Sequence, residues 1–153
     1  MDLPKVFLDT DVIVNWLIKE NETESELPLW NAPHHIIQLI ENDKISGMIS
    51  LTTVMEIRFL LRRKKAYDRN QIEDDIAKLT STLDVIIPDE ISLLKANSLQ
   101  TDHHLDPFDA IHLATALGTS PVTLVSRDRD FISIAKTFVP AMLPEEFLNQ
   151  LPT

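Results

Sequence analysis

The chain has 153 residues, 44% of them apolar, which suits one domain spanning residues 1–153 that buries about 70% of its unfolded surface. No apolar run approaches the ~20 residues of a membrane span, and Met1-Asp2-Leu3-Pro4-Lys5-Val6 lacks the basic flank and apolar stretch of a signal peptide, so a soluble cytoplasmic protein is expected. Absence of cysteine excludes disulfides, thiolate metal sites and cysteine nucleophiles, and 24 acidic against 14 basic residues, a formal −10, argue against a phosphate-rich partner unless divalent cations reverse the local sign.

In chain order, short β-like runs alternate with helical patterns, the mark of an α/β fold with a parallel sheet of four to five strands flanked by helices. Val6-Phe7-Leu8 reads as a buried strand and Val12 to Lys19 as a helix. Asn21 to Leu27 is acidic and polar and reads as a loop. A helix is predicted from Ala32 to Asp43 with Asn31 as cap, then a strand over Met48-Ile49-Ser50-Leu51 and a helix from Val54 to Lys64. Arg58, Arg62, Arg63, Lys64, Lys65 and Arg69 cluster here, either as a solvated helix end or as a substrate-facing patch. Ile72 to Thr80 is amphipathic and helical, Asp84-Val85-Ile86-Ile87 a third strand, and Ile91 to Gln100 a helix. His103 and His104 are expected at the surface. Phe108 to Leu117 is helical, Val122-Thr123-Leu124-Val125 a fourth strand, Phe131 to Lys136 a short helix, and Phe138-Val139 a candidate edge strand. The two glycines, Gly47 and Gly118, sit where helices should end and are expected as left-handed caps. A phosphate-cradling loop needs several glycines close together, which excludes Walker-type and dinucleotide-binding readings.

The informative pattern is where the acids fall relative to strand ends, because the crevice of an open α/β sheet lies beyond its carboxyl edge. Asp9 ends the first strand and Asp11 follows it. Glu56 is expected in the first turn of the helix after the second strand, and Asp109 in the first turn of the helix opened by Asp106-Pro107. Asp128 and Asp130 follow the fourth strand. Each has a structural alternative. Thr53-Val54-Met55-Glu56 satisfies a capping box, Asp106 and Asp109 suit a helix start, and Asp9, Asp128 and Asp130 suit caps or turns. Together, converging carboxylates without cysteine make an all-oxygen site suited to Mg2+ or Mn2+, with Thr10, Ser50 and Ser126 as hydroxyls able to position water or phosphate.

Four segments in this order carry a resemblance: Phe7-Leu8-Asp9-Thr10-Asp11-Val12-Ile13, Ile49-Ser50-Leu51-Thr52-Thr53-Val54-Met55-Glu56-Ile57, Asp106-Pro107-Phe108-Asp109-Ala110-Ile111-His112-Leu113-Ala114-Thr115-Ala116, and Leu124-Val125-Ser126-Arg127-Asp128-Arg129-Asp130-Phe131. Over nearly its whole length the chain resembles the PIN domain family and, within it, VapC-type toxins of toxin–antitoxin pairs. The resemblance implies a PIN-like three-layer sandwich and Mg2+- or Mn2+-dependent hydrolysis of RNA. It also implies Asp9, Glu56 and Asp109 as the first carboxylate set and Asp128 as the fourth, with Asp11 and Asp130 as further candidate ligands. Homodimers are expected, as is a small antitoxin that fills the active-site groove. An acidic groove calls for a basic residue on that antitoxin, and Trp16, Leu17, Phe59 and Leu60 are candidate surface for its apolar helix, or else ordinary core.

Two rivals and one weaker form stand beside this reading. Asp9-Thr10-Asp11-Val12, with Ser50 at a strand end, fits a haloacid-dehalogenase-type phosphatase using Asp9, but the usual glycine and a placed lysine are missing. A receiver domain needs an Asp at the end of the third strand, where Pro88 stands instead. A catalytically inactive PIN-like interaction module keeps the fold without the chemistry.

Overall fold

The computed structural model describes residues 2–19, 28–64 and 68–152, so the expected loop at Asn21 to Leu27 and the cluster's Lys65 lie outside it. Five strands, β1 (Lys5–Leu8), β2 (Ser46–Ser50), β3 (Asp84–Ile86), β4 (Thr123–Val125) and β5 (Ala141–Met142), form one wholly parallel sheet in the order β3-β2-β1-β4-β5. The helices are α1 (Thr10–Ile18), α2 (Asn31–Glu41), α3 (Leu51–Arg62), α4 (Arg69–Thr82), α5 (Glu90–Asp102), α6 (Pro107–Leu117), α7 (Arg129–Ala135) and α8 (Pro144–Gln150).

Strand alternation divides the core in two. Val6, Leu8, Ile49 and Val125 pack with α1, α2, α3, α4 and α8, whereas Phe7, Met48 and Leu124 pack with α5, α6 and α7. Because helices cover both faces, the strands read as unbroken apolar runs rather than as alternating ones. The result is the expected three-layer α/β/α arrangement. β1 lies at the centre, between β2 and β4, and the crevice past its carboxyl end is where such sheets receive ligands.

Several local expectations are corrected. Leu51 belongs to α3, not to the second strand, because Ser50 accepts a hydrogen bond from Thr52 N and caps the helix. The capping box at Thr53 therefore does not exist, and Glu56 lies in the second turn instead of the first. Trp30, not Asn31, precedes α2, and no side chain among the described residues caps it. The edge strand is Ala141–Met142, while Phe138 and Val139 lie in a turn. Pro140 lacks an N–H, but its carbonyl accepts from Leu124 N at 2.8 Å and starts the pairing. Helix α8 had no sequence expectation; its seven residues are too few for a clear period. Neither glycine has positive φ. Lys19 (φ 50°) and Asp43 (φ 54°) take the left-handed positions that close α1 and the turn after α2. Gly47 instead lies inside β2, where a Cβ would collide with the Ile40 and Leu83 side chains.

Candidate active site

The site grows from the carboxyl ends of β1, β2 and β4. Asp9 follows β1 directly, and its N–H donates to Val125 O at 2.9 Å, which extends the β1–β4 ladder by one residue and fixes the side chain at the sheet rim. It is 5% exposed. Its Oδ1 accepts from Thr10 N at 2.8 Å and its Oδ2 from Ser126 Oγ at 2.7 Å. Asp9 thus caps α1 and reaches across to the β4 end at once, so the capping and rim readings hold together.

Asp11, in the first turn of α1, does not cap its own helix. Its Oδ2 accepts from Arg127 N at 3.0 Å, and its Oδ1 is buried without a partner among the described residues. Glu56 comes in from α3. Its Oε1 accepts from Thr10 Oγ1 at 2.8 Å and meets His112 Nε2 at 2.9 Å. Asp106 is the N-cap of α6, accepting from Asp109 N at 2.9 Å, with Pro107 at the first helical position and Asp109 in the first turn. Asp128 caps α7, accepting from Asp130 N and Phe131 N at 3.0 and 3.1 Å.

These groups surround one cavity of about 400 Å3, lined by Asp9, Asp11, Glu56, Asp106, Asp109 and Asp128 together with Thr10, Val14, Asn15, Leu60, Phe108 and His112. The four principal candidates and Asp11 are brought together. Asp130 is not: it is exposed in the first turn of α7 and does not line the cavity. Thr10 and Ser126 spend their hydroxyls on Glu56 and Asp9, and Ser50 is buried against Thr52, so the expectation that these hydroxyls meet water or phosphate is not supported. His112 and Asp106 were missed as site residues. His112 follows Asp109 by three positions, which puts both on one helix face, and that spacing was the available signal.

Crowded acids without a counter-ion resist ionising. Burial pushes the Asp9 carboxyl up, against the opposing pull of His112, Ser126 and Thr10. Burial, with the Asp9 charge second, pushes Asp11 up to about 7. Asp109 is pushed up to about 8 by burial and then by the charges of Asp9 and Asp106. Burial draws the His112 imidazole down, but its hydrogen bond to Glu56 and the neighbouring carboxylates outweigh that and raise it.

The set fits a hard divalent cation in donor type and in charge, since all its carboxylates present oxygen and Asp11 Oδ1 lacks a partner. Among the described residues no three His, Asp or Glu side chains already converge as a metal cage. No Lys or Arg among the described residues lines the cavity. Arg58, inside α3, instead pairs with Glu73 of α4 at 3.1 Å, and Arg62 ends α3, so only Arg62 of these two sits at a helix end and neither lines the cavity. Of the candidate docking residues, Trp16 is core, Leu17 is half-buried, and Phe59 and Leu60 are exposed. His103 is half-buried, edge-on to Phe138, rather than fully at the surface.

Solved structures share this fold. The chain is similar to one in VapBC2 from Rickettsia felis bound to a DNA fragment from its promoter, at TM-score 0.68 and 16% identity over 90% of this chain and 98% of that one. A toxin-antitoxin complex from Klebsiella pneumoniae matches at TM-score 0.64 and 21% identity, over 91% and 97%. PAE2754 from Pyrobaculum aerophilum matches at TM-score 0.66 and 17% identity, over 96% and 88%. No curated protein matches the chain. The family model of the PIN domain matches residues 5–130, which take in β1 through the first turn of α7 and every carboxylate of the cavity, and the phosphatase and receiver readings fall away. The chain belongs to the PIN domain family.

Proposed function

We propose that this PIN domain is a single-domain, metal-dependent ribonuclease and the toxin of a toxin–antitoxin pair. The observation that carries the reading is a cavity lined, among the described residues, by six carboxylates and no Lys or Arg, at the carboxyl edge of a parallel sheet. A phosphodiester is itself anionic, so it enters such a cavity only with cations. Asp9, Glu56, Asp109 and Asp128 would hold Mg2+ or Mn2+, with Asp11 beside them; exposed Asp130 has no part. A bound ion supplies Lewis acidity, activating water and offsetting charge on the phosphoryl oxygens. The chain's own residues do the rest. Ser126 and Thr10 N orient Asp9, Thr10 and His112 orient Glu56, and half-buried Val14, with Leu60 and Phe108, walls the cavity with apolar surface. The protein then needs no nucleophile of its own.

The toxin role is supported by fold likeness to chains from toxin–antitoxin complexes. A cytoplasmic homodimer and a small antitoxin placing an Arg or Lys into the cavity complete the proposal. The test is cleavage of RNA by wild type and Asp9→Asn, each with Mn2+ and with chelator. Cleavage should need Mn2+ and be lost in the variant. Equal cleavage under all four conditions would sink the metal mechanism, and no cleavage by wild type would leave the inactive-module reading.

A further inference from the structure

His112 has no role in the proposal beyond its contact with Glu56, yet its placement is unusual for a core residue. The ring is 1% exposed, and its Nδ1 has no partner among the described residues. Its polar contacts are all made by Nε2: Glu56 Oε1 at 2.9 Å, Thr10 Oγ1 at 3.4 Å and Asp9 Oδ1 at 3.8 Å. A buried imidazole with one nitrogen wasted and the other aimed at a carboxylate is poor filler, because an apolar side chain of similar volume leaves no polar atom unsatisfied.

The hydrogen-bond directions are mutually consistent. An ionised Glu56 only accepts. Thr10 Oγ1 must therefore donate to Glu56, which leaves it accepting from Thr53 Oγ1 at 3.0 Å. His112 then donates from Nε2. Two donors from α1 and α6 converge on the same oxygen of a residue from α3, and Oε2 carries no hydrogen bond among the described residues. Without these bonds, a glutamate on the second turn of α3, a quarter exposed at its side chain, would sample several rotamers.

We propose that His112 is a positioning residue: its buried Nε2–H, with the Thr53–Thr10 relay, pins Glu56 Oε1 and leaves Oε2 to face the cavity. The consequence for metal binding rests on the ribonuclease reading above; the pinning of Glu56 does not. Removal of a buried partner that orients a ligand typically costs metal affinity about 10–100-fold.

The experiment compares full-length wild type with His112→Phe, which fills the ring volume without a donor, and His112→Gln, which keeps an N–H near the Nε2 position. Three quantities are read: Mn2+ affinity without RNA, kcat and KM for RNA, and the Glu56 conformer in metal-free crystals. In His112→Phe the Mn2+ dissociation constant should rise about 10-fold or more and kcat should fall, with KM changing less than about twofold, while Glu56 occupies more than one conformer. His112→Gln should restore the affinity to within about threefold and the single conformer. Equal loss in both variants would mean that only ring packing matters, and equal affinity in Phe and wild type would mean that the bond is idle; either overturns the proposal. Wild type that neither binds Mn2+ nor cleaves RNA defeats the nuclease reading instead. In that case the Glu56 conformer alone decides on His112: a single, unmoved conformer in His112→Phe overturns the pinning.

Discussion

Asp9 shows how one residue meets several demands. It caps α1 and receives Ser126 from the end of β4, and burial raises its carboxyl. Asp11 and Asp109, raised to about 7 and about 8 from 3.8, share that cost. With folded values above the unfolded one, the native state binds more protons between those limits, so stability is present at low pH and lost as pH rises through the folded values. His112 has the same sign, since its raised value also favours the protonated native form. In chelator, the melting temperature should therefore fall from about pH 6 to about pH 8.5, and saturating Mn2+ should flatten the profile; a metal-free protein that melts higher at the alkaline end contradicts the crowding account. The same crowding separates activity from stability. Asp9→Asn, Glu56→Gln and Asp109→Asn should each lose most RNA cleavage, and Asp109→Asn should melt about 2–5 °C higher than wild type in chelator above about pH 8. Full cleavage by all three refutes the assignment of these residues. Their approach to the rim was legible from strand ends, whereas the bond from His112 to Glu56 spans 56 positions and has no sequence signal beyond helical spacing.

At the scale of elements, Arg127 joins parts that nothing in the sequence links. Its Nη1 reaches both Glu145 oxygens at 2.7 Å, its Nη2 donates to Leu29 O at 2.6 Å and its Nε to Asn15 Oδ1 at 3.0 Å. It thereby ties α8 and the segment before α2 to α1. Arg127→Met should cost about 1.5–3 kcal/mol in urea denaturation and speed amide exchange in α8, while unchanged exchange there would deny the clamp. In β2, Gly47 marks the close approach of α2 and the Leu83 turn to the strand. Gly47→Ala should destabilise by about 1–3 kcal/mol, because Ile40 and Leu83 must leave their rotamers; a neutral result would show that both side chains move aside cheaply. Sequence spacing located four of the five strands and most of the helices, but misplaced the edge strand and chose the wrong cap for α3. Both Ser50 and Thr53 suit a cap, and only the end of β2 decides between them.

Across the molecule, acidic charge is both a property of the surface and the content of the site. A ligand that binds only the folded state stabilises it by mass action, so Mn2+ should raise the melting temperature, and more than Ca2+ at equal concentration, since the larger ion prefers more ligands and longer distances. Identical melting in Mn2+ and in chelator would count heavily against a metal site. A partner that silences the cavity needs a cation of its own, and guanidinium suits paired carboxylate oxygens better than ammonium. The expected outcome is co-purification with the product of a small neighbouring reading frame, and loss of inhibition when its Arg is replaced by Gln. Harmless expression of this chain alone, with no basic partner bound, refutes the toxin role without touching the nuclease.

The sequence by itself determined the parallel α/β class, the places of the first four strands and the set of acids at strand ends, because side-chain period, apolar runs and caps are local properties. It also carried the family, through four short segments in fixed order. Only the tertiary structure decided that Asp128 lines the cavity while Asp130 faces solvent, and that Asp11 turns across to Arg127 N. Only it showed that Thr10 and Ser126 bond to Asp9 and that Thr10 and His112 bond to Glu56. Those choices depend on the order β3-β2-β1-β4-β5, which sets residues more than a hundred positions apart side by side, and no spacing along the chain encodes a distance across the sheet.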